Sequence, residues 1–419
     1  MSRVSLLMAS LVAVAAHAEN VKTFLDAAET GSVDRKISVE QRNKAAADFR
    51  QAWTSLLPSL SASAGWTHNQ YNAEITLNPI TGDKVVIIPY DQFDGAFRFD
   101  VPLIDTQRWF RSAAAGALDD AAALREVVTR DAVRRQVVSG YYVYAGLLAV
   151  GDSARKSVAV AEEQLKLMEI RSKVGTVTEL DLLRAKAEVA RTRQVVADTV
   201  SSVANARRLV RTITGLEPPE QLPLPVDDVS PALPLAEYEA RIEQVPAVMV
   251  ADKEALAAAR TSTGAKLALV PSVGAQFTER FTNATGFQGK GAIFTAGVNL
   301  TWRLDVPTFM NIQSQAASEQ IGVLAGDRAR LVARDQIHQD WQRLQAALSK
   351  IDSAQSQVEA NRRAAQVARD RYAAGVATQL DVIQAERDVF SGEVNQIQAR
   401  AELATARMTL MISSALPLE

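Results

Sequence analysis

Between Pro58 and Leu103, apolar and polar residues alternate with a period of two. Leu60, Ala62, Ala64 and Trp66 alternate with Ser61, Ser63, Gly65 and Thr67; Phe93, Phe97, Phe99, Val101 and Leu103 alternate with Asp94, Ala96, Arg98 and Asp100. The pattern returns after Pro271, where Val273, Ala275 and Phe277 alternate with Gly274, Gln276 and Thr278, and again from Phe294 to Leu304, with Arg303 on the polar side. Residues two apart on a strand share a face, so these stretches predict two β-hairpins, about 59–103 and about 272–304. The segments Asn78-Pro79-Ile80-Thr81-Gly82-Asp83 and Asn283–Gly291 are the turn formers inside them.

Elsewhere the period is helical. Lys36–Leu57 predicts a helix stopped at Pro58, and Val250–Val270 lines up with its later part before Pro271. No proline occurs from Leu103 to Glu217 or from Thr308 to Leu416, and all 14 fall in the remaining segments. Long helices are therefore predicted at about 105–173 and 308–373, with returning helices at 178–214 and 378–413. At 1.5 Å per residue each long helix is about 100 Å. Spacings of four and three run through Ile337, Trp341, Leu344, Leu348, Ile351, Gln355 and Val358, and through Ile383, Arg387, Phe390, Val394, Ile397, Ala401, Ala404, Met408 and Met411. Such seams predict helices wound on neighbours.

The two helical turns are copies of one another. Arg171-Ser172-Lys173-Val174-Gly175-Thr176-Val177-Thr178-Glu179-Leu180-Asp181 is matched by Arg371-Tyr372-Ala373-Ala374-Gly375-Val376-Ala377-Thr378-Gln379-Leu380-Asp381. An internal repeat follows. Gly175 and Gly375 suit the left-handed conformation that closes one helix, while Thr178 with Asp181, and Thr378 with Asp381, have the spacing of a capping box opening the next. The predicted organisation is a first repeat over 19–215, a proline-rich linker over 216–234 and a second repeat over 235–419. The fold class is α+β and mostly α, each repeat pairing a β-hairpin with long coiled-coil helices.

Composition narrows the setting. The formal net charge of −2 leaves no basic field to attract nucleic acid. Residues 1–18 carry Arg3, an apolar run from Val4 to Ala16 and the cleavage-like Ala16-His17-Ala18, the signature of a secretory signal peptide, so Glu19 is the expected mature start. The absence of cysteine excludes disulfides and acylation of an N-terminal cysteine. Neither His68 nor His338 has a partner at metal-ligand or catalytic-triad spacing, so no catalytic residue, metal or cofactor is assigned.

Alternation alone fits a soluble sheet with one wet face as well as membrane strands. Asp94, Arg98, Asp100 and Arg303 line a lumen in the second case and an exposed sheet face in the first. Four strands per chain fall short of the roughly eight that close a barrel, so membrane strands require two or three copies. A periplasmic coiled-coil scaffold without a pore is the other architecture open to such helices.

The order of signal peptide, helix, proline, hairpin, long helix, V-G-x-x-T-x-x-D-type turn and returning helix, given twice, resembles the TolC-like outer membrane efflux protein family, the outer membrane factors. The most specific part is Arg371 to Gly375 through Leu380-Asp381-Val382-Ile383. The resemblance implies a homotrimer whose strands close a 12-stranded outer membrane barrel, continued through the periplasm as an α-helical barrel. It implies a passive exit duct for a tripartite efflux pump or a type I secretion system, with the tips docking on a periplasmic adaptor and an inner membrane transporter. By position it makes Asp381 the acidic ring of the entrance and Tyr372 the gating tyrosine, with Gly175, Thr178, Asp181, Gly375 and Thr378 marking the docking tips. The chain departs from the family pattern at Gln384, where some members carry a second acidic residue, and at Ala377, where a locking arginine stands.

Overall fold

The computed structural model describes residues 21–78, 80, 82–224 and 228–417, so the expected signal peptide lies outside the described residues. The elements are α1 (residues 21–31), α2 (Val33–Thr54), β1 (Ser59–His68), β2 (Ala73–Asn78), β3 (Asp83–Ile88), β4 (Asp91–Ile104), α3 (Thr106–Lys173) and α4 (Glu179–Thr214). They continue with α5 (Leu235–Glu239), α6 (Pro246–Lys266), β5 (Ser272–Thr282), β6 (Ala292–Thr301), α7 (Val306–Ala373) and α8 (Gln379–Ser413). The described chain is α+β and mostly helical. α3 and α7 are 68 residues each, and no proline interrupts either beyond its first turn.

Compactness divides the chain crosswise into two units, each drawing on both halves of the sequence. One holds Gln41–Ala123 with Val250–Asp327 and contains every strand. Its main sheet has the order β1-β4-β5-β6, antiparallel throughout, so the pairing of β4 with β5 joins the two hairpins. β2 and β3 form a separate two-stranded sheet inside the first hairpin, on either side of the expected turn formers. The run of β-branched residues from Val85 to Ile88 favours a strand on either side of the Gly82 turn. β6 stops at Thr301, so Arg303 falls in the connection to α7 rather than on a strand. β5 runs to Thr282, up to the turn formers that begin at Asn283; Glu279 interrupts the apolar alternation within it, opposite Phe97 and Phe294. A small core in the same unit joins Ala114 and Ala117 of α3 to Ala257 of α6.

The other unit comprises the described residues up to Glu40, Leu124–Met249 and the chain from Arg328 onward. One core packs Phe24, Leu25 and Ala28 of α1 on Val133, Val137 and Tyr141 of α3 and Val210 of α4. A second packs α7 on α8: Ile337, Leu344 and Ile351, spaced by seven, meet Ala399, Leu403 and Leu410. On α8 this buried seam is not the one expected from sequence, which lies on nearly the opposite side of the helix. That expected seam faces α3: the Tyr142 hydroxyl donates to Met408 Sδ at 3.5 Å, and a Cβ at Gly146 would meet Ala401 at 3.5 Å. A helix packed between two neighbours needs two seams, and an apolar count alone does not say which faces which. The proline-rich segment crosses three of these helices. Tyr144 donates to Pro219 O, Arg407 to Asp228 O and Ser230 O, and Trp341 Nε1 to Leu233 O.

Candidate functional site

The two helical turns have the same backbone. Gly175 (φ +73°) and Gly375 (φ +75°) are left-handed, a conformation that costs any other L-residue. Thr176 N–H donates back to Arg171 O, and Val376 N–H to Arg371 O, both at 3.0 Å; Gly175 N–H donates to Ser172 O and Gly375 N–H to Tyr372 O. These paired bonds make each turn a Schellman cap. Three residues on, Asp181 N–H donates to Thr178 Oγ1 and Asp381 N–H to Thr378 Oγ1, both at 3.2 Å.

The second turn completes its box. Asp381 Oδ2 accepts from both the Thr378 N–H and the Thr378 hydroxyl at 2.7 Å. Asp181 accepts the Thr178 hydroxyl, and its other oxygen lies 3.7 Å from Arg184, whose counterpart in the second copy is Gln384. Asp381 is exposed. Its carboxyl is held below the ordinary value by the Thr378 amide, then by the Thr378 hydroxyl and the Arg371 charge, so it is ionised at neutral pH.

Tyr372 is half-buried at the last turn of α7. Its hydroxyl donates to Sδ of the fully buried Met168 on α3 at 3.3 Å, and the Arg171 guanidinium lies 5.1 Å from its ring centroid. The tyrosine therefore ties the second tip to the first.

A stronger tie escaped the sequence reading. Arg387 of α8 donates to Glu188 Oε2 of α4 at 2.6 Å, and Arg191 donates to the same carboxylate at 2.6 Å. Burial pushes the buried Glu188 carboxyl up, but the two arginines outweigh it and leave it below the ordinary value. Glu393 of α8 behaves alike: burial raises it, while Ser153 of α3 (2.5 Å) and Arg362 of α7 (2.7 Å) hold it low overall. The available signal was Arg387 itself, a charge in an otherwise apolar seam, which has to find a carboxylate.

On the main sheet Asp94, Arg98 and Asp100 share the polar face. Arg98 donates to Asp100 at 3.0 Å and to Gln276 at 2.9 Å, Asn299 donates to Gln276 at 3.2 Å, and Arg280 pairs with Asp94 at 2.6 Å. Arg280, Gln276 and Asn299 complete a polar ladder across three strands. The opposite face carries Leu60, Trp66, Phe93, Phe97, Phe294, Val298 and Leu300, each more than half exposed. Among the described residues no group of three His, Cys, Asp or Glu side chains is arranged to hold a metal ion, and no helix is long and apolar enough to cross a membrane.

The sequence model of the outer membrane efflux protein family matches residues 38–216 and 238–414, once in each half of the chain. Outer membrane efflux protein BepC of Brucella suis biovar 1 (strain 1330) is 26% identical over 291 residues, which cover 66% of this chain and 61% of BepC. The match thus spans less than two thirds of that relative. Among solved structures, CusC, described as forming a transmembrane channel, superposes with a TM-score of 0.83 at 16% identity over 95% of this chain and 92% of its own. The outer membrane protein VceC from Vibrio cholerae superposes with a TM-score of 0.81 at 18% identity, over 96% and 97%. At these identities the likeness to solved structures is one of fold.

Proposed function

The chain belongs to the outer membrane efflux protein family, and from that premise we propose that three copies form an outer membrane exit duct, a passive conduit whose energy is supplied by an inner membrane transporter. The observation that carries this reading is the bare apolar face of the main sheet. A soluble sheet buries its apolar face against a core, whereas the aromatic and aliphatic residues here stand exposed opposite a polar ladder, the pattern of strands with lipid on one side and a lumen on the other. β1 and β6 are open edges of a four-stranded sheet. Unpaired edges are unfavourable in lipid, so closure needs further strands, and three copies give twelve.

In this reading Asp94, Arg98 and Asp100 face the lumen, and Arg303 sits at the rim of the barrel. Asp381 from each copy contributes to a charged ring at the periplasmic entrance, favouring cations. Tyr372 helps to hold that entrance shut. Ile170, Val174, Leu180 and Leu183 are more than half exposed around Gly175, Thr178 and Asp181, and Val376 is similarly exposed beside Gly375 and Thr378. These apolar tips suit the helices of a periplasmic adaptor, within a tripartite efflux pump or a type I secretion system.

The trimer is tested by cross-linking. The chain has no cysteine, so Ser63→Cys on β1 combined with Thr295→Cys on β6 introduces its only thiols. With a short bis-maleimide the detergent-extracted variant is expected to give a ladder ending at three copies. A ladder that stops at two, or that continues past three, contradicts the reading.

A further inference from the structure

Between its ends, the apolar face of the main sheet is interrupted by a single charge among the described residues. Glu279 of β5 stands on that face, opposite Phe97 of β4 and Phe294 of β6, with Phe277 and Phe281 two residues away on its own strand. The four rings gather in two pairs beside it. Phe277 and Phe294 stack with centroids 6.0 Å apart, and Phe97 and Phe281 meet edge to face at 6.2 Å. All four rings are exposed and Glu279 is partly buried. Among the described residues it makes no hydrogen bond or ion pair. The neighbouring arginines lie on the polar face and are engaged there, Arg280 with Asp94 and Arg98 with Asp100 and Gln276.

An unpaired carboxylate on an apolar surface is unfavourable, the more so against lipid, and a cationic partner relieves it. Three sources of charge do not fit. β5 lies inside the sheet between strands that present phenylalanine, so a second copy joining at either open edge stays at least one strand away. An inorganic ion needs several oxygen ligands, and the neighbours here are rings. A phospholipid ammonium brings its phosphate, for which the residues around Glu279 supply no cation. A carboxylate set among aromatic rings is instead the chemistry that selects an organic ammonium. Residues directly opposite have Cβ atoms about 4.5–5.5 Å apart, which brings an ammonium held at the carboxylate within the roughly 6 Å over which a ring attracts a cation.

We propose that Glu279 with Phe97, Phe277, Phe281 and Phe294 forms a site for a lipophilic ammonium compound. The carboxylate takes the charge, the rings take the groups on nitrogen, and exposed apolar neighbours such as Val298 take the apolar body. The site needs only that this face is open, and cross-linking of β1 to β6 tests the duct separately.

Native mass spectrometry of the full chain released from an uncharged maltoside detergent, with dodecyltrimethylammonium as the probe, reads the site. The unmodified chain is expected to retain one probe per chain. Glu279→Gln is expected to bind it about tenfold more weakly, and Phe294→Leu about threefold more weakly. Phe294→Leu keeps the charge and serves alone if the glutamine variant does not fold. Glu74→Gln, which removes a carboxylate of β2, is expected to bind as the unmodified chain does. Equal binding by the unmodified chain and Glu279→Gln overturns the site, as does an equal loss in Glu74→Gln, the mark of general attraction. Retention of phosphatidylethanolamine in place of the probe, lost in Glu279→Gln, overturns the choice of ligand.

Discussion

In the first tip Glu179 and Leu183 of α4 face solvent, whereas in the second the matching Gln379 and Ile383 of α8 are buried and Val382 is sealed beneath them; Leu180 and its counterpart Leu380 are exposed in both. The backbone of the two turns is the same to within a few degrees of φ at glycine, and the Thr-x-x-Asp spacing is identical. Local chemistry thus builds the same turn twice, and the neighbours decide its setting. α8 lies against α3, α4 and α7, so its first turns are enclosed; α4 presents its first turns outward. The first tip leaves more apolar surface exposed than the second, where Val376 and Leu380 remain outside. The second is held by specific polar ties and carries the exposed, capped carboxylate of Asp381.

The comparison breaks first at Glu188. Its repeat-mate Asp388 is exposed, so Glu188→Gln is expected to cost about 1–2 kcal/mol, and Asp388→Asn less than about 0.5 kcal/mol, by chemical denaturation. Equal costs would show that burial at the α4–α8 contact does not distinguish the repeats.

Acid acts on the same contact. Glu188 and Glu393 both titrate below the ordinary glutamate value when folded. Their contribution is complete above the unfolded value of about 4.3 and is lost as pH falls through the lower folded values. Exchange across α8 is therefore expected to stay flat from neutral pH to about 5, after correction for intrinsic rates, and to rise below about 4. A rise already at pH 6 would point to other groups.

A smaller effect separates the caps. Thr378→Ala is expected to cost about 1 kcal/mol and Thr178→Ala less. Asp381 takes two bonds from Thr378, whereas Asp181 divides between the Thr178 hydroxyl and Arg184. Local exchange at the start of α4 and of α8 measures the difference.

The turns, the α+β class and the faces of the strands were legible because each rests on local rules: a glycine with positive φ, a threonine three residues before an aspartate, and alternation after a proline. The burial of Gln379 and the reach of Arg387 to Glu188 were not, because they depend on residues about 200 positions apart. The seam of α8 was legible in period and not in phase, since Ile397 and Ala401 face α3 while Ala399 and Leu403 face α7. Glu279 stands on the apolar face of β5 opposite Phe97 and Phe294, where the alternation breaks and the pairing partners hold the register.

The measurement that reaches the central claim most directly is single-channel conductance of the purified protein in a planar bilayer, comparing the unmodified chain with Asp381→Asn. Asparagine can still accept the Thr378 amide, so the turn is kept while the charge is lost. The account predicts discrete conductance with a cation preference that falls in the variant. Conductance with unchanged selectivity would return Asp381 to capping alone, and no conductance from either folded protein would contradict the duct.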